Sequence, residues 1–408
     1  MSSARADDIV CAETAQSHAN HDTVVLAARV VSNAGGGPER IIFGLPRFME
    51  PYGYRVLCAY MHPPRSQGYG LLSMRASTEG VSLLSIVDRG PWDRRVVEQL
   101  LDVCRRHRVA IWHAHDYKAA AIGWLLRHVW PMKLVSTVQG WVEISVKLSA
   151  YYRIERRCLR TYDRILCVSE DLRAVCVKSG VPADRCIVVE NAVDTSVHSR
   201  QVSIEQAKRM LGYRGGRRLV VGCLARLSPE KNLKTLIKVI DRLISDGLNL
   251  ELVIAGDGPE RHELETCIAA LERQDRIHLL GHRLDTINLL QAMDVFILSS
   301  LREGLPLALL EAMSLGVPVI APRIAGISKL IVDGFNGLLV ESASEERLAA
   351  ALVRMFSDAD LRRRLAEAGQ QTVATHYNLE ASMRKIRGVY EEVLSAENGR
   401  KATSRLFA

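Results

Sequence analysis

With 408 residues, a net charge of +8, 48% hydrophobic and 25% charged residues, the chain has a soluble protein's composition and two ordinary domains' length. No apolar run reaches the ~18–20 residues that a membrane-spanning helix needs, and the first twenty residues lack the apolar core of a secretion signal and read as a disordered leader. The nine cysteines are scattered without a Cys-x-x-Cys pair, which points to buried free thiols in a reducing cytosol rather than to disulfides or zinc.

Short apolar runs alternate with helical patterns along the whole chain, the signature of parallel sheets joined by crossover helices, so the fold class is α/β. In the first half, Thr23–Val31 is a predicted strand that ends in Gly35-Gly36-Gly37, with a helix beginning near Pro38-Glu39-Arg40. This glycine turn is not a dinucleotide fingerprint, because Arg40 stands where the third glycine belongs. Val109–Trp112 is a strand ending in His113-Ala114-His115-Asp116, and Lys133–Val138 is another ending in Gln139-Gly140-Trp141. His113 and His115 at this strand end are expected on opposite sides, one of them either facing a cleft or satisfied within the structure. No further His/Asp constellation recurs at later strand ends, so the pair does not read as a metal site. Tyr151-Tyr152 precede Arg153, Arg156, Arg157, Arg160 and Arg164 on what reads as one basic helix. It is either a solvated face or a surface for anionic membrane, and it carries no nucleic-acid motif. Arg164–Val168 and Cys186–Val189 complete the strands of this half, the latter running into Glu190-Asn191-Ala192-Val193-Asp194.

After the polar stretch Asp194–Gly216 the pattern restarts with strand Leu219–Leu224, then Ala225-Arg226-Leu227, and a helix expected from Ser228-Pro229-Glu230-Lys231. Ser228 suits the cap and Pro229 the first helical position. Arg226 and Lys231 would then oppose the helix dipole, a conflict that a bound diphosphate removes; a Lys231 in plain solvent is the alternative. Leu250–Ala255 leads to the turn Gly256-Asp257-Gly258-Pro259, which reads as structural. Val295–Leu298 leads into Ser300-Leu301-Arg302-Glu303-Gly304-Leu305-Pro306, after which a helix carries Glu311; Val317–Ala321 is a further strand. Glu303 and Glu311 flank a helix start, where phosphates bind, and carboxylates are strong acceptors for sugar and ribose hydroxyls. Glu303 as a solvated loop residue and Glu311 as the partner of a lysine are the structural alternatives. In open sheets ligands bind beyond the carboxyl ends of the strands, where all of these residues fall.

Taken together, the Glu303/Glu311 pair, the Arg226/Lys231 pair and the Gly36-Gly37-Pro38-Glu39 turn resemble the retaining glycosyltransferases of the GT-B fold, in the bacterial branch that includes mannosyltransferases and glycogen-synthase-like enzymes. The resemblance runs from Asn33 to Tyr377 and includes Gly316-Val317-Pro318-Val319 and Asp333-Gly334-Phe335-Asn336-Gly337-Leu338-Leu339-Val340. It implies two Rossmann-like domains facing across a cleft: 21–197 on the acceptor side, 198–378 for the nucleotide sugar, and a helix at 379–397 crossing back. Arg226 and Lys231 would hold the donor diphosphate and stabilise the leaving group without a metal or cofactor. Glu303 would meet the donor sugar beside the N–H groups of Gly304 and Leu305, Glu311 the ribose, Gly36 and Gly37 the phosphate and acceptor, and His115 the acceptor side.

Two positions depart from the resemblance. Relatives carry a histidine where this chain has Gln139, which can hydrogen-bond a sugar but not act as acid or base, and a glutamate where it has Lys329. The expectation is a cytoplasmic transferase, peripheral at the inner membrane face, moving a sugar from a UDP- or GDP-sugar to a glycan or lipid-linked acceptor in cell-surface polysaccharide or glycolipid synthesis. A catalytically inert relative that binds nucleotide sugar is the alternative, and an NAD-dependent oxidoreductase is suggested only by the glycine turn.

Overall fold

The computed structural model describes residues 23–31, 37–91, 93–141, 146–212 and 218–406. The expected leader, 1–20, lies outside them. The first half runs β1 (Thr23–Val30), α1 (Gly37–Met49), β2 (Tyr54–His62), α2 (Gln67–Thr78), β3 (Leu83–Val87), α3 (Arg94–His107), β4 (Val109–Ala114), α4 (Tyr117–Leu126), β5 (Lys133–Val138), α5 (Val146–Leu159), β6 (Arg164–Cys167), α6 (Glu170–Lys178) and β7 (Cys186–Val188). The second half opens with α7 (Ile204–Met210), β8 (Leu219–Leu224), α8 (Leu233–Ser245), β9 (Leu250–Ala255), α9 (Arg261–Ala269), β10 (Ile277–Leu279) and α10 (Thr286–Gln291). It continues with β11 (Val295–Ile297), α11 (Leu307–Ser314), β12 (Val319–Pro322), α12 (Ala325–Ser328), β13 (Leu338–Val340), α13 (Glu345–Ser357), α14 (Ala359–His376) and α15 (Leu379–Leu406).

The strands form two parallel sheets, ordered β3-β2-β1-β4-β5-β6-β7 and β10-β9-β8-β11-β12-β13. Each reverses its winding direction once, between β1 and β4 and between β8 and β11, and that switch point opens a crevice beyond the strands' carboxyl ends. Both central strands are buried on both faces, as helices on either side require: β1 reads Thr-Val-Val-Leu-Ala-Ala-Arg-Val with Val24 to Ala28 buried. Helix α8 shows how the covering layer is written into the sequence. Leu233, Leu236, Ile237, Ile240, Leu243 and Ile244 recur at helical spacing and are all buried, each worth ~1.5–3 kcal/mol on leaving water.

Helix α15 belongs to the first domain's core. Leu379, Met383, Ile386, Val389, Tyr390 and Val393 are buried with Ile42, Leu45 and Tyr54, and Gly44 of α1 leaves room for Met383. The crossing is pinned where Val193 donates its N–H to the Tyr377 carbonyl (3.0 Å) and Leu379 donates back to the Val193 carbonyl (2.9 Å). The helix runs beyond the 397 expected from sequence, to Leu406. Arg164 begins β6 rather than lying on the basic helix, which ends at Leu159.

Candidate functional site

After β11 the chain is stitched to the segment that follows β8. Leu301 donates its N–H to the Glu230 carbonyl (2.8 Å), and the Ser299 hydroxyl donates to the Lys231 carbonyl (2.8 Å). These bonds bring the two sequence motifs side by side. Glu303 Oε1 accepts from Lys231 Nζ at 2.6 Å and from the Ser300 hydroxyl at 2.7 Å. Both side chains keep a little surface, 19% for Lys231 and 10% for Glu303, so a ligand can reach the pair without unfolding anything.

Lys231 does not sit in the first turn of a helix. Pro229–Lys231 form a single 3-10 turn, Asn232 breaks it in the left-handed conformation (φ 52°), and α8 starts only at Leu233. Ser228 therefore has no helix to cap, and its hydroxyl donates to the Glu230 carboxylate instead (2.6 Å). Burial works against ionisation of Glu230, yet that hydroxyl, its own N–H, Lys231 and Arg226 together hold its carboxyl below the ordinary value. Arg226 is exposed beside it. The loop carrying Arg226 is clamped by the glycine turn: a Cβ on Gly256 would fall 1.8 Å from the Ala225 carbonyl oxygen, and one on Gly258 2.3 Å from that of Leu227. Only glycine permits this approach, so the turn is structural and its product is the placement of Arg226.

Pro306 is the capping residue ahead of α11, not its first residue. Gly304 is exposed, and its carbonyl would lie 2.0 Å from a Cβ on Gly326, so α12 packs directly on the loop of Glu303. The Leu305 carbonyl accepts from Asn191 Nδ2 of the first domain (2.9 Å). Glu311, buried at 2% exposure, is neither open nor paired with a lysine: it forms an ion pair with Arg40 of α1. Lys329, at the end of α12, reaches Asp171 at the start of α6 (3.2 Å).

The first domain's expected contributors are arranged differently. Gly36 lies outside the described residues, and Gly37 opens α1. Gln139, half-buried at the end of β5, makes no side-chain hydrogen bond to a described residue. His113 and His115 do not point to opposite sides: residues two apart in an extended segment share a face, and the two rings lie 4.1 Å apart, both buried. His113 is bonded through Nδ1 to the Tyr390 hydroxyl (2.6 Å) and through Nε2 to the Thr137 hydroxyl (2.8 Å). Burial pushes its pKa down to about 3, and burial, His113 and Arg29 hold His115 well below the usual histidine range, so both are neutral.

Sequence reasoning missed Arg40 and Asn191 as cleft residues. Asn191 had a signal, its position just past a strand end; Arg40 had none, since its partner lies in the other half of the chain. Among the described residues no three His, Cys, Asp or Glu side chains converge as a metal site would need, and no helix is long and apolar enough to cross a membrane. A cavity of about 390 Å³, lined in part by Arg323, Asp333, Arg347 and Arg354, shares no residue with the cluster described above.

Two family models match the two halves: "Glycosyltransferase Family 4" over residues 35–197 and "Glycosyl transferases group 1" over residues 212–372. A UDP-Gal:alpha-D-GlcNAc-diphosphoundecaprenol alpha-1,3-galactosyltransferase of Escherichia coli is 27% identical over 312 residues, 74% of this chain and 80% of that one. The lipopolysaccharide core biosynthesis glycosyltransferase LpsE of Rhizobium meliloti is 35% identical over 178 residues, 44% of this chain and 50% of its own. Among solved structures, Anabaena HepE in complex with UDP and glucose superimposes with a TM-score of 0.76 at 20% identity, over 91% of this chain and 100% of that chain, a likeness of fold.

Proposed function

The chain belongs to the glycosyltransferases of the GT-B fold, and from that premise we propose that it moves a sugar from a nucleoside-diphosphate donor to a glycan or lipid-linked acceptor, with retention of anomeric configuration, in the synthesis of cell-surface polysaccharide or glycolipid. The observation that carries this reading is the Lys231–Glu303 pair, held at 2.6 Å and open to a ligand beyond the switch point of the second sheet.

A diphosphate and a sugar would separate that pair in a way that leaves both groups satisfied. Lys231 and Arg226 exchange a carboxylate for the diphosphate, whose charge grows as the glycosidic bond breaks, and cations already in place stabilise that charge without a metal. Glu303 exchanges a cation for sugar hydroxyls, to which it is a strong acceptor. Gly37, opening α1, approaches the phosphate from the first domain, and Gln139 offers its amide to a sugar hydroxyl. Departure of the diphosphate and arrival of the acceptor on the same face, through a short-lived oxocarbenium ion pair, gives retention. Glu311 takes the ribose hydroxyls. UDP- and GDP-sugars are both compatible with these contacts.

The acceptor's membrane would be met by the first domain from the cytoplasmic side. Arg153, Ile154 and Arg157 are exposed on α5, and Trp124, Leu125 and Val129 are exposed on and just after α4. The two helices lie together, with Tyr117 stacked on Tyr151 at 5.2 Å. Basic and apolar side chains on one surface suit anionic lipid. Replacing Arg153 and Arg157 by glutamate should abolish co-sedimentation with anionic vesicles; retained binding removes the membrane from this reading.

The transfer itself is tested by thermal shift with UDP, GDP, ADP and NAD, each in EDTA. A ligand at 100 times its Kd stabilises the native state by about 2.7 kcal/mol. That raises the midpoint by ~5–10 °C at roughly 2–4 °C per kcal/mol. A shift with one nucleoside diphosphate, followed by its release from the cognate donor sugar and an axial-to-axial NMR assignment of the product, is the expected result. Binding without release under any acceptor condition would leave an inert relative, and a shift with NAD alone would overturn the proposal.

A further inference from the structure

Every carboxylate that the donor would use already has a cation. Glu303 has Lys231 from its own domain, but Glu311 has Arg40 from the opposite one. Arg40 rides on α1, three residues past Gly37, and its guanidinium also meets His198 Nε2 (2.9 Å) in the segment joining the domains and Thr286 Oγ1 (3.4 Å) at the start of α10. One side chain thus ties the first domain to two helices of the second and to the segment between them. Nearby, Arg47 of the same helix binds Asp194 (2.8 Å), so α1 is anchored at the hinge side and Arg40 reaches inward from it.

We propose that Arg40 is a latch on the donor site: in the ligand-free protein it occupies the Glu311 carboxylate that the donor's ribose would use, so that donor binding must break this pair and free the domains to move. The inference rests on the ribose role given to Glu311 above. The two exchanges at the donor site differ in chemistry. When a diphosphate takes Lys231, charge meets charge. When ribose takes Glu311, neutral hydroxyls replace a guanidinium, and Arg40 keeps its charge beside only the neutral His198 and Thr286. It must therefore leave with its helix or follow the diphosphate, and either path couples nucleotide binding to a shift of α1 against α11. A latch costs affinity in proportion to how fully it is shut: if the competent state is populated only about a tenth of the time, the apparent Kd is weakened about tenfold.

The test measures the affinity of whichever of UDP, GDP or ADP binds the wild-type protein, together with its 2′-deoxy counterpart. Arg40→Ala should tighten nucleoside-diphosphate binding by about tenfold, and that gain should vanish when Glu311→Gln is added. Weaker or unchanged binding in Arg40→Ala overturns the latch. Should that variant fail to fold, Arg40→Lys, with one point charge in place of a planar fork, should tighten binding by a smaller factor, and no tightening there overturns the proposal equally. Glu311→Gln alone reports on the underlying reading: it should weaken binding and erase the preference for ribose over deoxyribose. If it does, and Arg40→Ala still fails to tighten, the latch falls while the donor site stands. If Glu311→Gln changes neither, both fall.

Discussion

Around the carboxyl ends of β1, β4 and β5 the first domain gathers Arg29, Glu39, His113, His115 and Thr137; beyond β8 and β11 the second gathers Arg226, Lys231, Ser300 and Glu303. The two clusters occupy equivalent places in equivalent sheets, yet they are built for different work. In the first, Glu39 is fully buried with Arg29 Nε at 2.9 Å, and His113 is locked between Thr137 and Tyr390 of α15. In the second, Arg226, Lys231 and Glu303 keep surface, and their partners are ones that a sugar or a diphosphate can replace. A strand end at a switch point is thus only an opportunity. Whether it becomes a binding site depends on what fills it, and here buried partners fill one cluster while the other keeps surface.

Removing the open cluster's carboxylate should produce the largest change. Glu303→Ala is expected to lower transfer by at least ~100-fold, the loss typical of an oriented group acting on developing charge, with a melting midpoint close to the wild-type value because the site is partly solvated. Full activity in that variant would sink the assignment. The closed cluster should respond in the opposite sense. Tyr390→Phe deletes one buried hydroxyl and strands His113 Nδ1, costing about 1–2 kcal/mol of stability, which differential scanning calorimetry reads as a lowered midpoint. Nucleoside-diphosphate affinity should stay as it was, and a change in affinity without a loss of stability would show that the two clusters are not divided as argued here.

The same division decides what was legible in the sequence. The bounds of β5, β8 and β9 were readable to the residue, because each is a largely apolar run followed by Gln139, by Ala225-Arg226 and by Gly256 respectively. Strands β10 and β13, three residues each, are too short for periodicity to register, and β2, Tyr-Arg-Val-Leu-Cys-Ala-Tyr-Met-His, hides its burial behind polar-looking side chains. That Glu303 and Lys231 serve one site followed from motif order, but their ion pair and the backbone around Lys231 did not. Ser228-Pro229 announces a helix, and Asn232, adopting φ 52°, delays it by a turn. His115 was misplaced because two residues spaced by two were set on opposite faces, whereas a period of two puts them on the same one. The Arg40–Glu311 pair could not be read at all, being set by how two domains meet rather than by any local pattern.

Glu155 supplies the finest test of how the first domain treats a carboxyl it has enclosed. It sits on α5, accepts from Trp141 Nε1 at 2.7 Å, and the Arg156 guanidinium lies over the same indole at 4.6 Å. Burial raises its pKa to about 7, against the lowering exerted by the Trp141 hydrogen bond. The folded protein therefore holds a proton that the unfolded chain has already released between the ordinary carboxyl value and about 7. Stability must fall as pH rises through that window, since the native state binds more protons there, and it levels off above it. Glu155→Gln keeps an acceptor for Trp141 and carries no charge. It should exceed the wild type by roughly 3 kcal/mol near pH 8, each tenfold change in proton affinity being worth about 1.4 kcal/mol. The advantage should shrink steadily as the pH is lowered toward about 5. Urea melts of both proteins across this range decide the matter. A difference that is constant with pH, or that grows on acidification, would mean that this carboxyl is ionised in the folded state and that the enclosed half of the molecule tolerates charge as readily as the open one.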